Sequence, residues 1–156
     1  MKKTSKLLKL LNDLNKEKDR LGYQQDLLTP GFLKEVIIGS HLGHYVHRTK
    51  HGPDAYSNEE KNECYEYLSC KDGGSFQIDR IDETNLYRIS RNDAFFFALF
   101  SREDSLKLKK IYRVETKDVL EEAKRKISKM KSSSKHLGFG MKWTRENGRL
   151  VWPTES

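Results

Sequence analysis

The chain has 156 residues, with 30 Lys+Arg against 23 Asp+Glu and a formal net charge of +7. That length suits one domain with one core and is too short for two independent catalytic domains. The longest apolar run, within Ala94–Phe100, is far below the ~20 residues that span a bilayer; two cysteines make no disulfide framework, and the modest basic excess favours a polyanionic partner without proving one.

The start, Met1-Lys2-Lys3-Thr4, is basic, but Lys9, Asn12 and Asp13 interrupt the leucine-rich stretch behind it. No signal peptide is therefore expected, and a cytoplasmic protein without membrane attachment is the default expectation. Ser5 to Leu21 reads as an amphipathic helix, with Leu7, Leu11, Leu14 and Leu21 near helical spacing and Leu8 and Leu10 widening the stripe. It either packs on its own domain or forms a dimer contact. Gly22 and the Thr29-Pro30-Gly31 turn close this region, and a second helix is predicted from about Pro30 to Val46.

From Asp54 the period changes. Tyr65 to Cys70 alternates as a strand, and the polar Ser57–Asn62 turn before it makes a hairpin with Asp54 on one arm and Glu66 on the other. Cys64 and Cys70 lie on this strand and face one side, where they cannot easily bridge. Lys71–Gly74 is a turn, and Ser75–Arg80 is a short strand or an exposed loop arm. Ala94–Phe100 is a central strand buried on both faces, which makes Phe95-Phe96-Phe97 core rather than a stacking platform. Leu106 to Val114 gives another strand. Asp118 to Met130 is a basic helix with Thr116 as its N-cap and Val119, Leu120, Ala123 and Ile127 as its buried stripe. Lys131–Lys135 is a flexible basic loop, and Trp143 and Leu150–Trp152 bracket a Glu146-Asn147-Gly148 hairpin turn. The order of elements predicts an α+β or mixed α/β fold.

The chemistry centres on Pro53-Asp54, eleven residues, then Glu66-Tyr67-Leu68. Two carboxylates on adjacent strand arms can converge on Mg²⁺, which takes one or two protein carboxylates and fills its shell with water and phosphate oxygens. Such a site polarises a phosphodiester and lowers the pKa of a bound water. The surrounding blocks extend the pattern: Gly52-Pro53-Asp54-Ala55, Tyr65–Ser69, Phe96–Phe100, Ile111–Asp118 and Lys142-Trp143 through Trp152. In this order and at these separations they resemble the type II restriction endonucleases of the PD-(D/E)xK nuclease superfamily, over residues 32–152.

The resemblance implies a restriction-endonuclease-like fold, with a central mixed sheet flanked by helices. It implies a single nuclease domain, 1–156, with 1–28 as a helical dimerisation region and 29–152 as the catalytic and DNA-recognition core. It further implies a homodimer on double-stranded DNA, cutting with Mg²⁺ (or Mn²⁺ as substitute) at a palindromic site to leave 5′-phosphate and 3′-hydroxyl ends, with no small-molecule cofactor. Asp54 matches the first metal carboxylate and Glu66 the second. The lysine of the pattern falls at Leu68, which can neither hold a water nor offset charge. Lys71 faces the other side of the strand and could substitute only through a bulge. Three readings stay open: Lys71 or another cation fills the role, the metal suffices for a slower nuclease, or the chain binds DNA without cutting it. A basic RNA-associated module is a further alternative, favoured by charge alone.

By the same resemblance the segment after the catalytic strand enters the major groove. Gln77 suits adenine, Arg80 guanine and Asp79 cytosine, with Ser75 as a weaker contact. Lys131, Ser132, Ser133, Ser134, Lys135 and His136 suit phosphate or groove contacts. His41, His44 and His47 share a helical face on the predicted second helix, followed by His51. No Cys or carboxylate completes a zinc set there, so with Arg48 and Lys50 they read as a DNA-facing surface. His51 is a candidate auxiliary acid–base group. Glu35 is a possible extra carboxylate at the metal, although a surface glutamate is the simpler reading.

Overall fold

The computed structural model describes residues 4–49, 51–130 and 135–154. In chain order it contains α1 (Ser5–Arg20), α2 (Pro30–Leu42), β1 (Tyr45–Val46), β2 (Ala55–Tyr56), β3 (Cys64–Lys71), β4 (Phe76–Ile81), α3 (Tyr87–Ser90), β5 (Ala94–Phe100), β6 (Leu108–Glu115), α4 (Thr116–Lys129), β7 (Lys135–Phe139), α5 (Met141–Asn147) and β8 (Gly148–Trp152). The predicted basic loop at 131–134 and the position of Lys50 lie outside the described residues, as does the side chain of Lys135. The architecture is mixed α+β, a mostly antiparallel central sheet flanked by helices. No helix among the described residues is long and apolar enough to cross a membrane.

The six-stranded sheet has the order β1-β2-β3-β5-β6-β8. β3 and β5 are parallel, and every other pair is antiparallel. All seven residues of β5 are buried, as its continuous apolar sequence requires of a strand covered on both faces. Alternate residues feed two cores. Phe95, Phe97 and Leu99 join Leu68, Cys70, Val114, Val119 and Ala123 on one face. Phe96, Ala98 and Phe100 join Tyr65, Tyr67, Ile111 and Ile38 of α2 on the other.

Between β3 and β5 the chain leaves the sheet. β4 pairs instead with β7 in a separate two-stranded ribbon. Phe76, Ile78, Ile81, Leu137 and Phe139 bury its inner face against the first core, while Gln77, Asp79, Arg80 and His136 lie exposed. The segment is thus a strand, and a polar one on its outer side.

Three local expectations are corrected. The second helix stops at Leu42 rather than Val46, because Gly43 adopts the left-handed conformation at φ 68°; Tyr45 and Val46 then extend into β1. Thr116 is the first residue of α4, not its cap, and its hydroxyl donates to the Asn92 carbonyl at 2.8 Å. Trp143 and Trp152 do not flank a hairpin: Trp143 sits on α5 and packs against Phe139 and Phe97, with ring centroids 5.0 and 6.2 Å apart. Gly148 ends that helix where a Cβ would come within 2.7 Å of the Thr144 carbonyl oxygen, and β8 pairs with β6.

α1 forms as expected, yet none of its residues is buried, and Leu7, Leu8 and Leu10 are each more than half exposed.

Phe97 is fully buried among Phe76, Phe139 and Trp143. Phe97→Ala is expected to lower stability by about 3–5 kcal/mol in chemical denaturation, the usual cost of emptying a large aromatic site.

Candidate active site

Asp54 is fixed by both of its neighbours in the sheet. Its N–H donates to the Tyr65 carbonyl at 3.0 Å, and its carbonyl accepts from the His47 N–H at 2.9 Å. The two-residue β2 meets β3 at Tyr65 and Cys64, so among the described residues no strand pairs with that edge of β3 beyond Tyr65. The next donor on that edge, the Tyr67 N–H, is taken at 2.8 Å by the Asp54 carboxylate. A side chain therefore stands where a strand would have continued.

Glu66 lies on β3 between these two backbone contacts, paired in register with Phe95. Glu35 approaches from α2. The three carboxyls form one repelling group. Burial pushes Glu66 up to about 8, and Asp54 and Glu35 add to the shift. Burial and the Asp54 charge push Glu35 up to about 8. Asp54 is pushed up to about 6 by burial, against the pull of the Tyr67 N–H and Arg91. A hard cation relieves such repulsion directly.

Among the described residues no set of three or more His, Cys, Asp or Glu side chains is spaced to enclose a metal. Asp54 and Glu66 are the carboxylates that could hold a hard cation such as Mg²⁺, which takes only one or two protein carboxylates.

Leu68 and Lys71 do not provide a cation. Leu68 is buried in the first core. β3 and β5 stay in continuous register from Tyr65↔Ala94 to Lys71↔Phe100, so no bulge turns Lys71 toward Glu66. Lys71 remains exposed on the opposite face. The cations near the carboxylates are Arg88 and Arg91, which line a small cavity with Glu66, Ile78, Ile89 and Phe95. Their signal in the sequence is faint, two arginines three residues apart before β5, and nothing there ties them to Glu66.

No protein-family model matches this chain, and no curated protein does.

The ribbon beside the carboxylates holds the residues expected to read DNA. Arg80 is left-handed at φ 53°, where the β4–β7 register shifts between Ile78 and Ile81. A side chain is rarely held there without support. The support comes from Asn85 Nδ2 and Arg88 Nη1, each 2.8 Å from the Arg80 carbonyl oxygen. The bulge turns Arg80 outward, as bulges commonly re-aim a side chain. Asp79 Oδ1 lies 2.5 Å from His136 Nδ1 across the ribbon. Gln77 and Ser75 are exposed. Lys135 pairs through its backbone with Ile81.

The histidines do not share a helical face, because α2 ends before His44. His41 Nδ1–H donates to the Ile37 carbonyl one turn back on α2 at 2.8 Å, and the ring packs edge-on to Trp152. His44 packs tilted against Tyr65, ring centroids 4.6 Å apart, and meets the Tyr67 hydroxyl at 2.8 Å; burial, then Arg113, lowers it to about 4, so it is a neutral packing residue. His47 contacts the His51 carbonyl at 2.6 Å and the Thr49 hydroxyl at 2.8 Å. His51 is exposed.

Because Glu66 holds its proton in the fold up to about 8, against an ordinary value of 4.5, it favours the folded state below pH 4.5. That contribution is lost as pH rises through 8. In chelator, Glu66→Gln, which cannot ionise, is expected to gain stability relative to the parent as pH rises from 5 to 8.5, by several kcal/mol at ~1.4 kcal/mol for each pH unit between the two values, read as a widening difference in Tm. Thermal unfolding at the two pH values measures this.

Proposed function

We propose that the protein is a type II site-specific deoxyribonuclease with a PD-(D/E)xK nuclease fold, acting as a homodimer on double-stranded DNA. The observation that carries this reading is Asp54 at the edge of β3, interacting electrostatically with Glu66, which in turn shares a small cavity with Ile78 of a ribbon whose outer face is polar. This reading carries with it a cytoplasmic location.

Asp54 and Glu66 are the residues that would hold Mg²⁺, or Mn²⁺ in its place. When bound, the ion supplies charge to the phosphodiester and acidifies a water. The Tyr67 N–H orients Asp54, and the sheet fixes Glu66. Hydrolysis joins the water oxygen to phosphorus and breaks the bond to the 3′ oxygen, leaving 5′-phosphate and 3′-hydroxyl ends. Gln77, Asp79 and Arg80 supply the donors and acceptors that discriminate base pairs in the major groove, with Ser75 at their edge and Lys135 and His136 on the partner strand.

The homodimer is supported by α1. A helix of 16 residues with no buried residue is marginal by itself, and a second copy would cover its leucines. Two-fold symmetry then makes the target palindromic.

Leu68 favours a second reading, a sequence-specific DNA-binding protein that cuts poorly or not at all. Losing a water-positioning or acid–base group costs about 10²–10⁴-fold in rate, which still leaves a measurable enzyme.

Plasmid DNA of known sequence incubated with Mg²⁺ or Mn²⁺ is expected to give discrete fragments. Asp54→Ala should reduce cleavage by about 10³-fold or more while duplex binding persists. Specific binding by the parent with no cutting in either metal would establish the second reading. Leu7→Glu with Leu14→Glu is expected to convert the dimer to a monomer in sedimentation velocity without loss of secondary structure.

A further inference from the structure

A cation is missing where Leu68 stands, and the fold brings another to the same carboxylates. Arg91 follows α3 and precedes β5, at the end of the sheet where β3 begins. Its backbone is pinned there. The Arg91 N–H donates to the Tyr87 carbonyl at 3.0 Å, and its carbonyl accepts the Cys64 thiol at 3.2 Å. Two residues on, Asp93 exchanges bonds with Cys64 at 2.8 Å through its N–H and at 2.7 Å through its carboxylate. Arg91 is thus tied to the first residue of the strand that carries Glu66.

The side chain lines the cavity beside Glu66 and acts electrostatically on both Glu66 and Asp54. Among the described residues its guanidinium makes no hydrogen bond or ion pair. Arg88, on the same cavity, is committed elsewhere: its Nη1 holds the Asp79 and Arg80 carbonyls at 3.1 and 2.8 Å. Arg113, another arginine of the sheet, is paired with Glu115 at 3.0 Å and lies over Tyr65 and Phe96.

We propose that Arg91 is the catalytic cation of this site, its guanidinium contacting a non-bridging oxygen of the scissile phosphate in the role left empty by Leu68. The proposal rests on the nuclease reading. A guanidinium offers a planar fork matched to phosphate and stays charged at every working pH. Arg91 therefore transfers no proton. The proton of the attacking water goes to solvent, and the departing 3′ oxygen takes one from solvent as the phosphorus–oxygen bond breaks.

Arg91→Ala and Arg91→Lys are compared with the parent by two readouts, cleavage rate in Mg²⁺ and duplex affinity in chelator as a function of salt. Arg91→Ala is expected to cut about 10²–10³-fold more slowly, the usual loss for one donor aimed at developing charge. Its salt slope should fall by about 0.9 per subunit, the signature of one lost phosphate contact. Arg91→Lys should recover the slope and part of the rate. A parent that cuts, with Arg91→Ala unchanged in rate and slope, overturns the role of Arg91 and leaves the nuclease intact. Lost cleavage with an unchanged slope also overturns the contact and makes Arg91 a support of the fold. A parent that binds without cutting, with a slope that drops in Arg91→Ala, retains the phosphate contact and sinks the nuclease. No duplex binding by the parent overturns both.

Discussion

On one side β3 is covered along its length by β5; on the other, β2 is the one strand among the described residues that pairs with it, at Cys64 and Tyr65. The Tyr67 N–H on that open edge needs an acceptor, since an unpaired backbone donor in a half-buried strand costs about as much as a lost hydrogen bond. The Asp54 carboxylate supplies it. That contact fixes the position of the first carboxylate, and the raised pKa values of Glu66 and Glu35 both follow partly from its charge.

The departure of β4 from the sheet is the second organising feature. β4 pairs with β7 rather than with β3. That pairing buries Phe76, Ile78 and Ile81 against the sheet and turns Gln77, Asp79 and Arg80 outward. Leu68 belongs to the same core as those ribbon residues. An apolar residue at this position is therefore consistent with packing, whereas a lysine would have to bury its stem among phenylalanines. Arg88 joins the two regions. It lines the cavity beside Glu66 and holds the carbonyl of left-handed Arg80, so the ribbon's outer face and the carboxylates share a support.

Much of this was legible in the residues. Continuous burial of β5 follows from seven apolar residues in a row, and the two-residue period of β3 placed Glu66 with Leu68 and away from Lys71. The hairpin carrying Asp54 and Glu66 followed from the polar turn between them. The helix boundaries were harder. Gly43 can sit within a helix or end it, and only the docking of Tyr45 and Val46 onto β2 decides between these. Asn147-Gly148 reads equally as a hairpin turn and as a helix exit, and the packing of Trp143 on Phe139 selects the exit.

By itself the sequence determined the local matters: which segments alternate, which are uniformly apolar, and which two carboxylates share a hairpin. Those depend on the period of side chains along one segment, which the chain carries regardless of its partners. Only the tertiary structure decided what meets across segments. It brought Glu35 of α2 to the carboxylate pair, kept Lys71 on the far face, dispersed the histidines and set Arg91 beside Glu66. These are distances between residues remote in sequence, created when the sheet closes around β5, and no periodicity encodes them.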